Sequence, residues 1–404
     1  MDIDPLSAGF DPSRLDRISS HLQANYISPR KIAGCQVLVW RKGHIAYSRS
    51  FGLSDIEKKN PVRDDTIFRI YSMTKPVTSL ALMMLFEEGR FQLSDPVHRF
   101  IPSWKNQRVW VKGEGENMET REPLKPVSVG NLLSHTSGLT YGQNLFPSDH
   151  PVDKSYGALR ELSQNQADFV ESLAKVPLLF DPGTRWCYSL STDVCGALVE
   201  IISGKSFSEF LKERIFEPLG MTDTSFIIDE SKVSRFAANY GRLENKTLQL
   251  IDAPEDSIYA DKDRFKSGGG GLVSTTADYA KFCEMLVSGG KYAGCRIIGN
   301  RTLRMMLKNR LPGGSDLASV AVGSFSETAY EGIGFGLGFA LTLDEVAANT
   351  HGKNDFYWGG MASTIFWIDP GEEMFCIFMT QLVPSGTFNF RGQLKSIVYG
   401  ALEN

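Results

Sequence analysis

Between Val77 and Phe86 the chain reads VTSLALMMLF, and this run restricts the possible folds more than any other segment. Val77, Leu80, Ala81, Met84 and Leu85 recur at helical spacing. Met83 and Phe86 carry the apolar surface round to the opposite side. A helix that is apolar nearly all round cannot lie on a surface; other elements have to wrap it. The run is far short of the ~20 residues a membrane span requires. It is therefore expected to be a central core helix, ending near Gly89. A chain of 404 residues that is 42% hydrophobic can surround it with more than one structural unit.

Directly ahead of the run stand Tyr71-Ser72-Met73-Thr74-Lys75. A serine hydroxyl is a poor nucleophile until a neighbouring base takes its proton. On a helix, positions i and i+3 share a face with Cβ atoms about 5–6 Å apart, so the Lys75 amine can reach the Ser72 oxygen. In a dry site desolvation favours the neutral amine, which can act as that base. The spacing also occurs at Ser28–Lys31, Ser172–Lys175 and Ser288–Lys291. Ser28 precedes a proline in a turn-like stretch, Ser288 is followed by two glycines, and Pro177 ends the helix after Ser172. Only Ser72 follows a strand-like run (Thr66 to Ile70) and opens a buried helix.

The net charge is −4 and the pI near 6.0, with both signs mixed along the chain, so no nucleic-acid partner is expected. The acidic start, Met1-Asp2-Ile3-Asp4-Pro5, has no apolar core of a secretory signal, and a cytoplasmic location with no membrane attachment is expected. Six scattered cysteines form no C-x-x-C pair, and the six histidines have no metal-ligand spacing. Buried free thiols, no metal and no organic cofactor are the expectation.

Asp11-Pro12 reads as a helix start, and Leu15, Ile18, Leu22 and Tyr26 form an apolar stripe behind it. Cys35 to Trp40 and His44 to Ser48 read as a strand pair about Lys42-Gly43. From about 95 to 265 helical patterns dominate, clearest at Gly130–Ser134, Gln166–Val176, Ser191–Ser203 and Ser206–Ile215. Lys105–Pro126 is polar with room for a hairpin; Leu311–Tyr330, rich in Gly and Ser, takes no assignment. Gly334 to Phe339 alternates with a strand-like period of two, and Ala362–Ile368 and Met374–Thr380 flank the turn Asp369-Pro370-Gly371. Phe390, Leu394, Ile397, Val398 and Ala401 mark a last helix. The class expected is α+β: an antiparallel sheet built from residues 1–95 and 266–404, flanked by helices, with a mostly helical domain, 96–265, inserted and the active site between them.

Tyr188, in FDPGTRWCYSL at 180–190, sits between a Pro-Gly turn and a helix, and Trp358-Gly359-Gly360 lies on a late strand. With SMTK at 72–75, LSDPV at 93–97, LLSHTSGL at 132–139, IFEPLGMTDTSF at 215–226, GGGGLVSTTADYAKF at 268–282 and GFGLGF at 334–339, the chain resembles the serine β-lactamase and penicillin-binding-protein superfamily. Within it, the chain is most similar to the class C β-lactamase-like family VIII carboxylesterases. The resemblance implies a β-lactamase/transpeptidase-like fold. It casts Ser72 as the acylated nucleophile, Lys75 as its proton-transfer partner, and Tyr188 as base for acylation or activator of the deacylating water. Which of Lys75 and Tyr188 takes the first proton stays open, because two close groups titrate as a unit. The backbone N–H groups of Ser72 and Met361 would form the oxyanion hole. Gly359 and Gly360 would let the strand approach the acyl group, Trp358 would wall its pocket, and Tyr141 would line it.

Two departures point to the substrate. Where many β-lactamases have Tyr-x-Asn, this chain has Tyr188-Ser189-Leu190; where they have Lys-Thr-Gly or His-Thr-Gly, it has Trp-Gly-Gly. Both remove polar recognition of an anionic amide and leave an apolar pocket suited to small neutral esters. His351 and Lys353 lie upstream of the triplet and do not replace its cation. His135 is read as part of a structural turn, and Asp193 as part of the helix after Tyr188. No G-x-S-x-G occurs, against an α/β-hydrolase. The expectation is a serine hydrolase cleaving short-chain carboxylic esters. The alternatives are a β-lactamase or D-alanyl peptidase, with β-lactams as substrates, an acyltransferase using the same acyl-enzyme, and a non-catalytic binding protein on the same fold.

Overall fold

Strands from the two ends of the chain pair at the centre of one sheet. The computed structural model describes residues 2–144, 148–157, 159, 163, 165–323 and 330–403. Its large sheet holds β1 (Gly34–Arg41), β2 (His44–Asp55), β3 (Asn60–Pro61), β4 (Ile333–Phe335), β5 (Ala340–Thr342), β6 (Phe356–Gly359), β7 (Ile365–Asp369) and β8 (Met374–Thr380). The order is β4–β5–β6–β7–β8–β1–β2–β3, antiparallel throughout. β1 lies against β8 in unbroken register from Cys35↔Thr380 to Arg41↔Met374. Both strands are buried along their whole length, which is why they read as continuous apolar runs. The β7–β8 turn is fixed by the Asp369 carboxylate, which accepts from the backbone N–H groups of Gly371 and Glu372.

Helices cover both faces of this sheet. The helix α1 (Thr74–Glu87) is buried from Thr74 to Leu85, as an all-round apolar helix must be. It packs against α2 (Ser191–Ser203). On one face α3 (Thr276–Val287) contacts the sheet through Tyr279 and Phe366, ring centroids 5.2 Å apart. On the other, α4 (Phe390–Tyr399) sets Phe390 against Phe378 at 4.7 Å. The helical segment 12–27 joins it there, with the Tyr26 hydroxyl donating to Gln393.

Three readings of the sequence need adjustment. Gly334 to Phe339 spans the end of β4, a turn and the approach to β5. Gly338 turns the chain with φ +96°, and a Cβ there would fall 2.4 Å from Ser79 Oγ on α1. β7 starts at Ile365, later than expected, because Gly360 to Thr364 close a turn in which the Gly360 N–H donates to the Thr364 carbonyl at 2.7 Å. The helical middle also contains strands. The polar stretch forms the hairpin for which the sequence left room, Val109–Lys112 with Glu119–Arg121, whereas the strand Asn239–Arg242, which pairs with Leu248–Asp252 and with Leu382–Val383, was not expected. In Leu311–Tyr330, a helical turn covers Leu317–Val320, and residues 324–329 lie outside the described residues.

Candidate active site

The strand Ile67–Arg69 pairs with Val273–Thr275 and leads through Ile70 into a tight turn, Tyr71–Met73, which opens α1. Tyr71 holds φ +41°, a left-handed conformation that costs a bulky residue roughly 1–2 kcal/mol. Contacts on both sides hold it there. Asn239 Nδ2 donates to the Tyr71 hydroxyl at 3.0 Å, Ile70 N–H donates to the Leu272 carbonyl at 3.2 Å, and the Tyr279 hydroxyl donates to the Met73 carbonyl at 3.0 Å. Ser72 is thereby fixed in the first turn, where a backbone N–H has no partner within the helix.

Lys75 is 1% exposed. Its Nζ donates to Ser72 Oγ at 3.1 Å and to the Gly269 carbonyl at 2.6 Å. Gly269 is itself held from behind: its N–H donates to Asp193 Oδ1 at 3.2 Å, and the Ser267 hydroxyl donates to the same oxygen. A Cβ at Gly269 would lie 2.5 Å from Asp193 Oδ2 and 3.1 Å from the Tyr141 hydroxyl oxygen, so only glycine brings this carbonyl to the amine. Thr74 and Thr78 tie the same segment to α1, Thr74 Oγ1 accepting from Leu272 N–H and Thr78 Oγ1 donating to the Gly268 carbonyl.

The Tyr188 ring lies over the amine, its centroid 4.5 Å from Lys75 Nζ, and the Tyr141 ring is at 5.4 Å. Tyr188 is enclosed by aromatics: Trp358 at 5.3 Å, Tyr141 at 5.2 Å and His135 at 5.1 Å between centroids. The Trp358 indole N–H donates to the Tyr188 hydroxyl at 3.3 Å. Expected as a wall of the acyl pocket, Trp358 is placed on the phenol and is 1% exposed. His135 adopts φ +55°, and its ring nitrogens contact Ser189 Oγ and Thr192 Oγ1 at 3.1 and 3.3 Å. Burial, with the nearby Lys75 charge, holds its pKa well below the usual imidazole value. His135 is thus a neutral packing partner of Tyr188, set in the turn the sequence implied.

β6 brings the last segment. Gly360 passes so close to the Ser72 turn that a Cβ would lie 2.4 Å from the Ile70 carbonyl oxygen. Met361 follows directly, half-buried. Arg391 Nη2 reaches the Trp358 carbonyl at 3.2 Å from α4, and a Cβ on Gly359 would meet the same nitrogen at 3.1 Å. His351 stacks on Tyr399, not on the site. Ser72, Lys75, Tyr141, Tyr188 and the 358–361 segment therefore converge. Sequence reasoning missed the supports: Asp193 and Ser267 behind Gly269, and Asn239 on Tyr71. The run Gly268 to Gly271 was the available signal, since four consecutive glycines mark a crossing too close for side chains.

The chain belongs to the Beta-lactamase family, whose model matches residues 16–396, and it has the β-lactamase/transpeptidase-like fold of the α+β class. It is similar to an uncharacterized protein of Mycobacterium tuberculosis (strain CDC 1551 / Oshkosh), 31% identical over 376 residues, 90% of this chain and 91% of that protein. It is also similar to Esterase EstB of Burkholderia gladioli, 28% identical over 402 residues and covering 95% of each chain. Among solved structures, EstCE1, described as a hydrolase with promiscuous acyltransferase activity, is 28% identical with a TM-score of 0.78, over 96% of this chain and 98% of that one.

Proposed function

We propose that this protein is a serine carboxylesterase that cleaves esters of short-chain acids through an acyl-enzyme on Ser72. The observation that carries the reading is the hydrogen bond of 3.1 Å between Lys75 Nζ and Ser72 Oγ, under the ring of Tyr188. Ser72 Oγ would attack the ester carbonyl while its proton passes to the Lys75–Tyr188 pair. The carbonyl oxygen would gather charge between the N–H groups of Ser72 and Met361. The pair would then protonate the departing alkoxide, and the alcohol leaves. Water attacks the acyl-enzyme, losing its proton to the same pair, and the acid departs as Ser72 recovers its hydrogen. The reading needs neither a metal nor an organic cofactor.

Support for an ester over a β-lactam comes from β6. Trp358 stands where a cation would meet a β-lactam carboxylate, and its N–H is turned to Tyr188. The similarity to EstB and EstCE1 supports the same choice. A second reading, acyl transfer to an alcohol in place of water, is favoured by the acyltransferase activity described for EstCE1. Among the described residues no helix is long and apolar enough to cross a membrane. Six unpaired cysteines, all but Cys295 buried, fit the cytoplasm as its place of work.

The test is a substrate panel: p-nitrophenyl acetate, butyrate and decanoate beside nitrocefin. Short esters should turn over fastest. Nitrocefin turnover above that of every ester would overturn the assignment.

A further inference from the structure

The carboxylate behind Gly269 has one oxygen that its hydrogen bonds do not explain. Asp193 is fully buried, in the first turn of α2. Both of its donors, the Ser267 hydroxyl and the Gly269 N–H, address Oδ1. Oδ2 is buried as well and has no hydrogen-bond partner among the described residues. It stands where Gly269 and Tyr141 come together: a Cβ on Gly269 would lie 2.5 Å from Oδ2 and 3.1 Å from the Tyr141 hydroxyl oxygen. The Tyr141 ring centroid is in turn 5.4 Å from Lys75 Nζ. An acid kept to tie down a loop would turn both oxygens to donors, because a buried polar atom left unmet is costly.

What such an oxygen contributes without a contact is charge. The first turn sets the carboxylate at the positive end of α2, which favours its ionised form. Its charge reaches beyond its hydrogen bonds: burial first, and the Asp193 carboxylate second, push the Cys195 thiol up, two residues further along the helix. A buried anion is costly unless a cation balances it. Lys75 is a cation tied to the same glycine, its amine donating to the Gly269 carbonyl at 2.6 Å while the Gly269 N–H donates to Asp193 at 3.2 Å. Facing the amine from the other elements are Tyr188, with its ring centroid at 4.5 Å, Tyr141, and behind Tyr188 the neutral His135. We propose that Asp193 is a positioning residue of the reaction: its Oδ1 fixes the Gly269 residue that holds the amine, and its negative charge sets how readily the Lys75–Tyr188 pair gives up a proton. This rests on the reading of Ser72 as the acylated nucleophile. It deepens that reading: the base that activates Ser72 is a unit of three groups, and a carboxylate that never touches substrate sets its working pH.

Asp193→Asn isolates the charge. Its side-chain oxygen can keep both donors, and its amide nitrogen takes the place of Oδ2. The acidic limb of kcat/KM for p-nitrophenyl acetate, followed at the isosbestic wavelength of the product, reports the pair in the free enzyme. A negative charge nearby favours the protonated pair, so removing it lets the pair lose its proton at lower pH. The limb should move down by about one pH unit or more. On the plateau kcat should fall about three- to tenfold, as for a weaker base, with KM nearly constant. Ser267→Ala is the control for packing: it takes one donor from Oδ1 and leaves the charge, so its limb should coincide with the wild type. An unmoved limb in Asp193→Asn, or an equal shift in both variants, overturns the proposal. Asp193→Ser, smaller and also neutral, makes the same measurement if the asparagine variant does not fold. The wild-type Ser72 adduct with a small alkyl phosphonate, read by mass spectrometry, serves as the reference. Labelling of Ser72 with an unmoved limb overturns the role of Asp193 alone. Absence of labelling overturns the acyl-enzyme reading beneath it.

Discussion

Lys75 and Gly269 are joined by a hydrogen bond of 2.6 Å, from a buried amine to a backbone carbonyl 194 residues further along the chain. The carbonyl cannot swing away, because the N–H of the same residue is held by Asp193. One proton of the amine is therefore committed to Gly269, and the remaining valences are aimed at Ser72 and toward the Tyr188 ring. A lysine side chain normally carries about 2 kcal/mol of rotamer entropy, which this clamp removes before substrate arrives.

Gly269→Ala tests the clamp. Its methyl would lie 2.5 Å from Asp193 Oδ2, so the segment has to shift. The expected result is a loss of roughly 1–3 kcal/mol of stability, the usual cost of overpacking. Turnover of p-nitrophenyl acetate should fall at least about tenfold, on the scale of a misplaced proton-transfer group. Urea unfolding and steady-state kinetics measure the two effects. Wild-type turnover in this variant would mean that the position of the carbonyl is irrelevant to the lysine.

Lys75→Met separates chemistry from packing. The thioether keeps most of the volume and removes a polar group from a site where the lysine is 1% exposed. Deleting the amine should cost at least about 10³-fold in kcat if it moves the Ser72 proton, a scale typical of a residue acting in a nucleophile–base unit. The melting temperature should fall modestly, because the buried Gly269 carbonyl loses its donor while the cost of burying the amine is removed in part compensation. A variant that keeps its activity would remove lysine from the mechanism.

His135 makes stability depend on pH. Burial first, and the Lys75 charge second, push its pKa well below 6.5 in the folded protein. Unfolded, it titrates near 6.5. Below that pH the unfolded chain takes up a proton that the folded chain refuses, so stability falls as pH drops; above it the group contributes no slope. The slope from one such proton reaches at most about 1.4 kcal/mol per pH unit. Urea midpoints of the wild type should therefore decline between pH 6.5 and 5 more steeply than those of His135→Asn. Parallel curves would show that another group carries the acid sensitivity.

What could be read from the sequence was what repeats locally. The apolar helix after Lys75, the β7–β8 turn at Asp369 and the boundaries Ser191–Ser203 follow from spacing and turn chemistry within a few residues. The convergence of Ser72, Tyr188 and Trp358 came from motif resemblance, and periodicity could not have supplied it. What escaped depends on contacts between distant segments. Asn239 reaches Tyr71 across 168 residues, and Asp193 reaches Gly269 across 76. The left-handed Tyr71 is likewise invisible in sequence, because local sterics disfavour it and only the surrounding contacts hold it. Gly334 to Phe339 misled for a different reason. Gly338 answers to the close approach of α1 at Ser79, Gly336 to the Met306 carbonyl and Gly334 to Asn309, and together they mimic the alternation of a single strand.

Trp358, expected as a wall of the acyl pocket, has a second candidate role through its hydrogen bond to Tyr188. As a wall of the acyl pocket it would act by shape; as donor to the Tyr188 hydroxyl at 3.3 Å it acts by polarity. Trp358→Phe distinguishes the two, because it keeps an aromatic ring and removes only the N–H and part of the bulk. A lost hydrogen bond to a group that carries charge during the reaction is worth about 1.5–3 kcal/mol. Expressed on the barrier, that is a fall in kcat of roughly 10- to 150-fold. If Trp358 positions the phenol, kcat should fall by that factor alike for p-nitrophenyl acetate, butyrate and decanoate, with KM nearly constant. If it is a wall, kcat for the acetate should hold and the order of preference among the three chain lengths should move toward the longer acids, into the space the indole vacates. The phosphonate labelling rate of Ser72 gives an independent reading of the first step: it should slow with kcat in the first case and match the wild type in the second.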